Sequence, residues 1–388
     1  MPKRRTIRKA VRVVHLWLGL TAGLVLSVVG ITGSLYIFEA EIAAYLERDH
    51  YRMATPGSMF SSDIEMAAYV EKQYGGPIES IQWPKRGRDT YIVKFFGDDH
   101  WYYFDQSTGT LTDGGEEFGN NVFAFILDVH RTLTLGETGH IITGIASALF
   151  ALFMLTTGLY LWWPKNRLAA RQRFWFRWKA STGDKRKNYD IHNISGFYFF
   201  LPLFLMGLTG TGFYFGDELQ WVINQVTFSQ PSKKAEVVQD RSSYKRADFL
   251  PIEAALQAMN RHYPDYKKRN IWMTNQLTGN LSFAYQKRTD IYPGADTRIF
   301  LQADPVTGEI VGERHPDKLP RGEAIMAKWL LQVHFGEFGG LATRLLWFFA
   351  GWVPALLTYT GVKIWLGRNL GKKKARSTKH ALTTSELY

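Results

Sequence analysis

Four stretches of this chain are apolar almost without interruption, and each is long enough to cross a bilayer, which takes about 20 helical residues. Val13 to Phe38 holds one His and no charged side chain, and Ile141 to Trp163 and Ile194 to Phe215 hold no charge at all. The fourth runs from about Leu345 to Leu366, with Lys363 near its end. Between the spans the rhythm changes. SSDIEMAAYVEKQYG (61–75) and PIEAALQAMNRHYP (251–264) repeat their apolar residues at helical spacing, whereas DTYIVKFF (89–96), WYYFD (101–105), NLSFAYQ (280–286) and RIFLQAD (298–304) alternate as strands do. After Asp105 and after Asp304 a Gly follows four residues on (Gly109, Gly308), which supplies the positive-φ residue of a hairpin.

This pattern predicts a membrane α-helical bundle of four transmembrane helices with an internal two-fold repeat, carrying two small α+β modules. The expected boundaries are a basic N-terminus with the first helix at 1–38, and a first module ending in an interfacial helix at 39–140. The second helix follows at 141–163, a basic loop at 164–190 and the third helix at 191–215. A second module occupies 216–344, the fourth helix 345–366 and a basic tail 367–388. MPKRRTIRKAVR at the start resembles a signal peptide. However, the apolar run behind it exceeds an ordinary h-region and no small-x-small site follows, so a retained anchor is expected.

Charge then orients the bundle. The chain is +12 overall with a pI near 9.6, a balance that alone would suit nucleic acid or an acidic membrane surface. Residues 1–12, 164–190 and 367–388 hold 21 Lys/Arg against Asp184, Asp190 and Glu386, a net +18 that leaves −6 for the remainder. Positive charge flanking membrane spans marks the cytoplasmic side. Both termini and the 164–190 loop are therefore expected in the cytoplasm, and the modules on the outer face, which in a bacterium is the periplasm. Trp162, Trp163 and Trp365 mark the lipid interface, and nucleic acid is excluded as a partner. The complete absence of Cys removes disulfides, Cys-ligated zinc, Fe–S clusters, thiol nucleophiles and covalently attached haem c.

The halves match. VHLWLGLTAGLVLSVVGITGSLYIFEAEI from Val14 and IHNISGFYFFLPLFLMGLTGTGFYFGDEL from Ile191 both place His second and a G-x-T-G step two-thirds along (Gly30 to Gly33, Gly207 to Gly210). LDVHRTLTLGETG from Leu127 and LQVHFGEFGG from Leu331 share V-H and G-E-x-G ahead of an apolar span. Repeats of this kind usually set a functional site between the halves.

The D-x-x-T-G-x-[IL] ending of each module, found twice, looks like the PepSY domain. Together with four spans bearing His at repeated positions, the chain resembles the PepSY-associated transmembrane proteins, iron-regulated and located in the bacterial inner membrane. Within that group it is similar to the di-haem siderophore reductases of the ferrioxamine-reductase type. The resemblance implies reduction of a periplasmic ferric siderophore.

Five of the ten His residues cluster at membrane boundaries. His15 and His192 hold equivalent places at the cytoplasmic ends of the first and third helices. His130 and His334 hold equivalent places on the outer side, just before the second and fourth. Ionisable residues at membrane depth usually face a partner or cofactor, and neutral imidazole is a good haem ligand. Two symmetry-related pairs suit two non-covalent, bis-His haem b groups: His15 with His192 near the cytoplasm, and His130 with His334 near the periplasm. The competing reading, that each merely hydrogen-bonds at the interface, fits any one His alone better than it fits all four. His140 has no repeat partner; it is a ligand candidate in place of His130, a binder of substrate iron, or a helix cap.

Arg131 and Arg344 are candidates for haem propionates on the outer side and Arg12 on the inner, beside a role in topology. Glu39, Glu41, Asp217 and Glu218 end the outgoing helices and are read as solvated charges before attractors of a ferric complex. Glu137 and Glu337 are read as turn structure. Gly210-Thr211-Gly212 lies inside a span with no strand before it, so close packing replaces dinucleotide binding. Among Trp101, Tyr102, Tyr103 and Phe104, alternation sends some side chains to the core and others towards a ligand.

The leading function is transmembrane electron transfer to a ferric chelate. With no flavin or nicotinamide fingerprint present, the donor must be a cytoplasmic reductase or a membrane quinol. The loop residues Arg171, Arg173, Phe174, Trp175, Phe176, Arg177, Trp178 and Lys179 form a docking candidate for it, or an interfacial segment. The alternative is a haem-free, membrane-anchored PepSY module that regulates an envelope peptidase or partner protein. Transport fits less well, since the spans carry no acidic residue for ion coupling.

Overall fold

The computed structural model describes residues 2–46, 48–85, 87–115, 121–164, 173–232, 243, 245–276, 279–286 and 297–385. Helix α1 (Pro2–Tyr36) is continuous and leads through α2 (Glu39–Leu46) and α3 (Arg48–Tyr51) to α4 (Asp63–Tyr74). Helix α4 starts where the Ser62 side chain accepts the Glu65 N–H, and stops at Gly75 in the left-handed region. Strands β1 (Ile78–Gln82), β2 (Tyr91–Phe95), β3 (Trp101–Asp105) and β4 (Thr110–Asp113) follow. Next come α5 (Asn121–Thr132) and α6 (Gly136–Leu149), which continues through a π turn (Phe150–Met154) into α7 (Leu155–Trp162). The second half comprises α8 (Asp184–Tyr198), α9 (Phe200–Tyr214), α10 (Gly216–Thr227), α11 (Ile252–Arg261) and strands β5 (Lys267–Trp272), β6 (Leu281–Gln286), β7 (Arg298–Ala303) and β8 (Ile310–Arg314). Helices α12 (Arg321–Phe335) and α13 (Gly340–Ser385) close the chain.

The two expected modules are one. Among the described residues the strands form a single eight-stranded antiparallel sheet in the order β4-β3-β2-β1-β5-β6-β7-β8. The halves meet at a seam where Ser80, Ile81 and Gln82 of β1 pair with Trp272, Ile271 and Asn270 of β5. Helices α4 and α11 pack on each other, and one core cluster mixes Met66, Val70, Ile81 and Phe104 with Leu256, Met259, Ile271 and Phe283. The cause is physical: a separate four-stranded module would expose β1 or β5 as an unpaired edge and would bury too little apolar surface. Both hairpin turns form as expected. Asp105 accepts from the Ser107 N–H and Asp304 from the Val306 and Thr307 N–H groups, with Gly109 and Gly308 at positive φ.

Among the described residues three helical segments, Thr6–Tyr36, Gly136–Trp162 and Glu337–Arg368, are long and apolar enough to cross a membrane. Large apolar side chains such as Trp17, Leu24, Phe153, Leu201, Phe349 and Trp352 are exposed along the helical part, a surface that matches lipid and not water. The continuous third span expected from 191–215 is instead broken: α8 and α9 meet at a 63° bend. Pro202 accounts for the break, because it has no N–H and its ring crowds the Tyr198 carbonyl four residues earlier.

Helices α1 and α13 touch backbone to backbone. A Cβ on Gly30 would stand 2.2 Å from the Gly351 carbonyl oxygen, and the Ser34 hydroxyl donates to Phe348 O at 2.8 Å. Small residues permit this approach, the usual mode of packing where no hydrophobic force joins helices. The end of α1 and the start of α2 are tied to α13 by Arg344, only 3% exposed. It donates to Glu41 at 2.6 and 2.9 Å and to Ile37 O and lies over the Phe38 ring.

Candidate histidine-pair site

The bundle brings the four repeated histidines together in two pairs. His15 on α1 faces His192 on α8 with ring centroids 6.4 Å apart. At the sheet-proximal end His130 on α5 faces His334 on α12 at 6.2 Å. With a nitrogen–metal bond of about 2 Å on each side, and about 1.2 Å from nitrogen to ring centre, two imidazoles sharing one metal have centroids about 6.4 Å apart. Both observed spacings fit.

Each ring is held by the same device. His15 Nδ1 is 3.1 Å from Thr157 Oγ1, His192 Nδ1 2.9 Å from Thr360 Oγ1 and His334 Nδ1 3.0 Å from Thr209 Oγ1. His130 Nδ1 is 3.4 Å from Thr32 Oγ1 and bonds Val29 O at 2.8 Å. All four threonine hydroxyls donate to the helix carbonyl four residues back, at 2.6 Å for Thr157, 2.7 Å for Thr360, 2.6 Å for Thr209 and 2.9 Å for Thr32. With its hydrogen so used, the Thr oxygen accepts, and Nδ1 must carry the proton. That fixes the tautomer and leaves the Nε2 lone pair free for a metal, the second-sphere arrangement typical of ligating histidines.

A glycine follows every one of these threonines and makes room for the ring. A Cβ would lie 2.7 Å from His130 Cε1 at Gly33, 3.1 Å from His15 Cε1 at Gly158, 3.5 Å from His334 Cε1 at Gly210 and 3.4 Å from His192 Cε1 at Gly361. The sequence reading found Thr32-Gly33 and Thr209-Gly210 as a repeated step but missed Thr157-Gly158 and Thr360-Gly361. The available signal was a Thr-Gly pair in every span, each on the helix facing a membrane-boundary His. At Thr157 the π turn contributes: its Phe153 and Met154 carbonyls take the hydroxyl, a common use of such turns at functional sites.

Two nitrogens do not complete a metal's coordination. Among the described residues no group of three or more His, Cys, Asp or Glu is placed to hold an ion, so a metal held by one of these pairs would need donors beyond those side chains. A haem, whose macrocycle supplies four, satisfies that requirement with two axial imidazoles.

The other candidates separate clearly. His140 packs edge-on against Tyr214 at 5.0 Å, and its carbonyl accepts from Thr143. Arg131 is exposed beside His130, whereas Arg344 is committed to Glu41 and with it leaves the propionate candidates. Arg12 is exposed. Glu39 opens α2, Asp217 and Glu218 open α10, and Glu137 opens α6; Gly136 and Gly336, each ahead of its Glu, take positive φ. A Cβ on Gly212 would stand 2.6 Å from Leu219, so that segment serves packing. Phe104 is fully buried and Tyr103 nearly so.

The described part of the basic loop packs on the bundle: Arg173 bonds the Trp162 carbonyl and Phe174 packs on Trp162 and Phe197. Trp175, Phe176 and Trp178 stay exposed. Arg171 and the His380 side chain lie outside the described residues.

The fold and site define a membrane helical protein with an antiparallel sheet module and two facing histidine pairs. The sequence profile of the PepSY-associated TM region matches residues 12–368, and the chain belongs to that family. No curated protein matches the chain in sequence.

Proposed function

We propose that the protein carries electrons across the bacterial inner membrane to a ferric siderophore in the periplasm, with His15–His192 and His130–His334 each holding one haem b. In this reading the bent pair α8–α9 is the fourth span and the halves are an internal repeat. Both termini face the cytoplasm and the sheet faces the periplasm, as the basic flanks indicate. The observation that carries it is the geometry of the four rings: each Nδ1 lies against a threonine hydroxyl or a helix carbonyl, which assigns the proton to Nδ1, and the rings face in pairs at metal-bridging distance. Bound haem supplies one-electron exchange between its ferric and ferrous states.

The chain's own part is ligation, orientation and docking. Along α1, His15 and Thr32 are 17 residues apart, so the two pairs divide the membrane by about 25 Å at 1.5 Å rise per residue. Arg131 stands at the outer pair as a partner for propionate. The exposed Trp175, Phe176 and Trp178 lie where a cytoplasmic reductase or a membrane quinol would deliver the electron. One electron converts the chelated Fe(III) to Fe(II), which oxygen-donor chelators hold less tightly, and the iron is released.

The test is anaerobic reoxidation. Protein in detergent is reduced, the reductant removed, and ferric trihydroxamate added. The reduced bands should disappear as Fe(II) is trapped by a ferrous-specific dye; reduced bands that persist would reject this substrate.

A further inference from the structure

The sheet module holds a cavity of about 830 Å³ beside β3 and β4, lined among others by Tyr45, His50, Arg52, Tyr103, Thr110 and Thr112. That volume suits a compact ligand of drug-like size. Its charged neighbours have opposite charges or N–H donors beside them: Glu41 with Arg344 at 2.6 Å, Arg52 with Asp89 at 2.9 Å, Asp105 with the N–H groups of Ala54 and Ser107, and the exposed pair Arg48 and Asp49 at 3.8 Å. Beside these, the walls offer the exposed Thr110 and Thr112 hydroxyls and the Tyr45 phenol, the complement of an uncharged, oxygen-rich ligand.

Packed rings lead from this cavity to the sheet-proximal pair. His334 meets Phe335 at 5.9 Å, Phe335 meets Tyr36 at 6.1 Å and Tyr36 meets Phe123 at 6.4 Å. Phe123 belongs to the same buried cluster as Tyr51 and Tyr103, and Tyr103 stacks on His50 at 5.2 Å. The rings and this cluster together form a packed path from a proposed ligand towards the cavity wall.

A second cavity, about 630 Å³ at the seam, is different in charge. Lys85, Arg88, Lys267 and Lys268 line it against Asp63 and Asp89. An anionic chelate would be drawn there.

We infer that the 830 Å³ cavity is the docking site for an electrically neutral iron(III) chelate, and that the Phe335–Tyr36–Phe123 rings are the packed route by which it is reached from His334. This rests on the proposed function and adds the substrate's charge class and its place. One electron reaches the chelate, Fe(III) becomes Fe(II), and the electron comes from the reductase or quinol named above; the rings remain unchanged.

The probe is the neutral gallium(III) complex of a trihydroxamate, titrated calorimetrically into the full-length protein in detergent. Gallium(III) takes no electron here, so binding is read whether or not the electron-transfer reading holds. Thr112→Trp and, as a second variant, Thr110→Trp each fill the cavity from an exposed strand position and should weaken binding at least tenfold. Lys267→Glu, in the second cavity, should change it less than twofold. Native binding in both Trp variants, loss in Lys267→Glu, or no binding by the wild type overturns the site. Phe335→Leu should leave gallium binding unchanged and slow reoxidation by the iron(III) complex at least tenfold; an unchanged rate overturns the route.

Discussion

Thr209 Oγ1 stands 3.0 Å from His334 Nδ1 while giving its own hydrogen to Leu205 O at 2.6 Å, so one hydroxyl decides which nitrogen of the ring is protonated. The same relationship links Thr360 to His192. Thr209→Val and Thr360→Val keep the shape and remove the acceptor. Each should lower haem affinity about 10- to 100-fold and shift the midpoint potential of one haem only. Thr209→Ser should restore both. Haem content and a spectroscopic redox titration are the measurements.

The glycines predict a graded series. Gly33→Ala drives a methyl to 2.7 Å from His130, whereas Gly210→Ala places one at 3.5 Å from His334, ordinary contact. The first should displace the ring and lose one of two haems; the second should keep both. Haem-to-protein ratios of the purified variants decide it.

Arg344 is a buried cation paired with the Glu41 carboxylate. Arg344→Met removes the guanidinium that bonds Glu41 and Ile37 O where α13 meets α2, and should lower the thermal midpoint. The double variant Arg344→Met/Glu41→Gln should recover part of that. Thermal midpoints in detergent give the comparison.

At the seam, Ile81 and Ile271 are both fully buried and directly paired. Ile271→Ala should destabilise the module by about 2–5 kcal/mol. Because one core serves both halves, protease should then open β1–β4 and β5–β8 together; cleavage confined to the second half would contradict the shared core.

Much of this was legible in the sequence, for reasons that particular residues show. Asp105 to Gly109 announced a turn because only glycine takes that φ cheaply, and the membrane His stood out because imidazole is rare at that depth. The seam was not legible: β5, KKRNIW, is charged over half its length, and nothing local says that its edge meets β1. Thr157 and Thr360 were hidden because a threonine within an apolar span also reads as a packing residue. The bend at Phe199 was written in Pro202 but masked by unbroken hydropathy.

Acid should loosen the first hairpin. Burial pushes the Asp105 carboxyl up, but bonds from the Ser107 hydroxyl and the Ala54 and Ser107 N–H groups outweigh it and hold it below its ordinary value of 3.8. A depressed carboxyl stabilises above its unfolded value and loses that contribution as pH falls through the folded one. The thermal midpoint should therefore drop below pH 3.8, and Asp105→Asn should flatten that drop while lowering the midpoint at neutral pH.

The most direct measurement is the optical spectrum of the purified protein, oxidised and then reduced with dithionite, in the wild type and in His15→Ala, His192→Ala, His130→Ala and His334→Ala. The account predicts a Soret band with sharp α and β bands on reduction, two haems per chain, and loss of one in each variant. A colourless wild-type protein, or full haem content in all four variants, would contradict it.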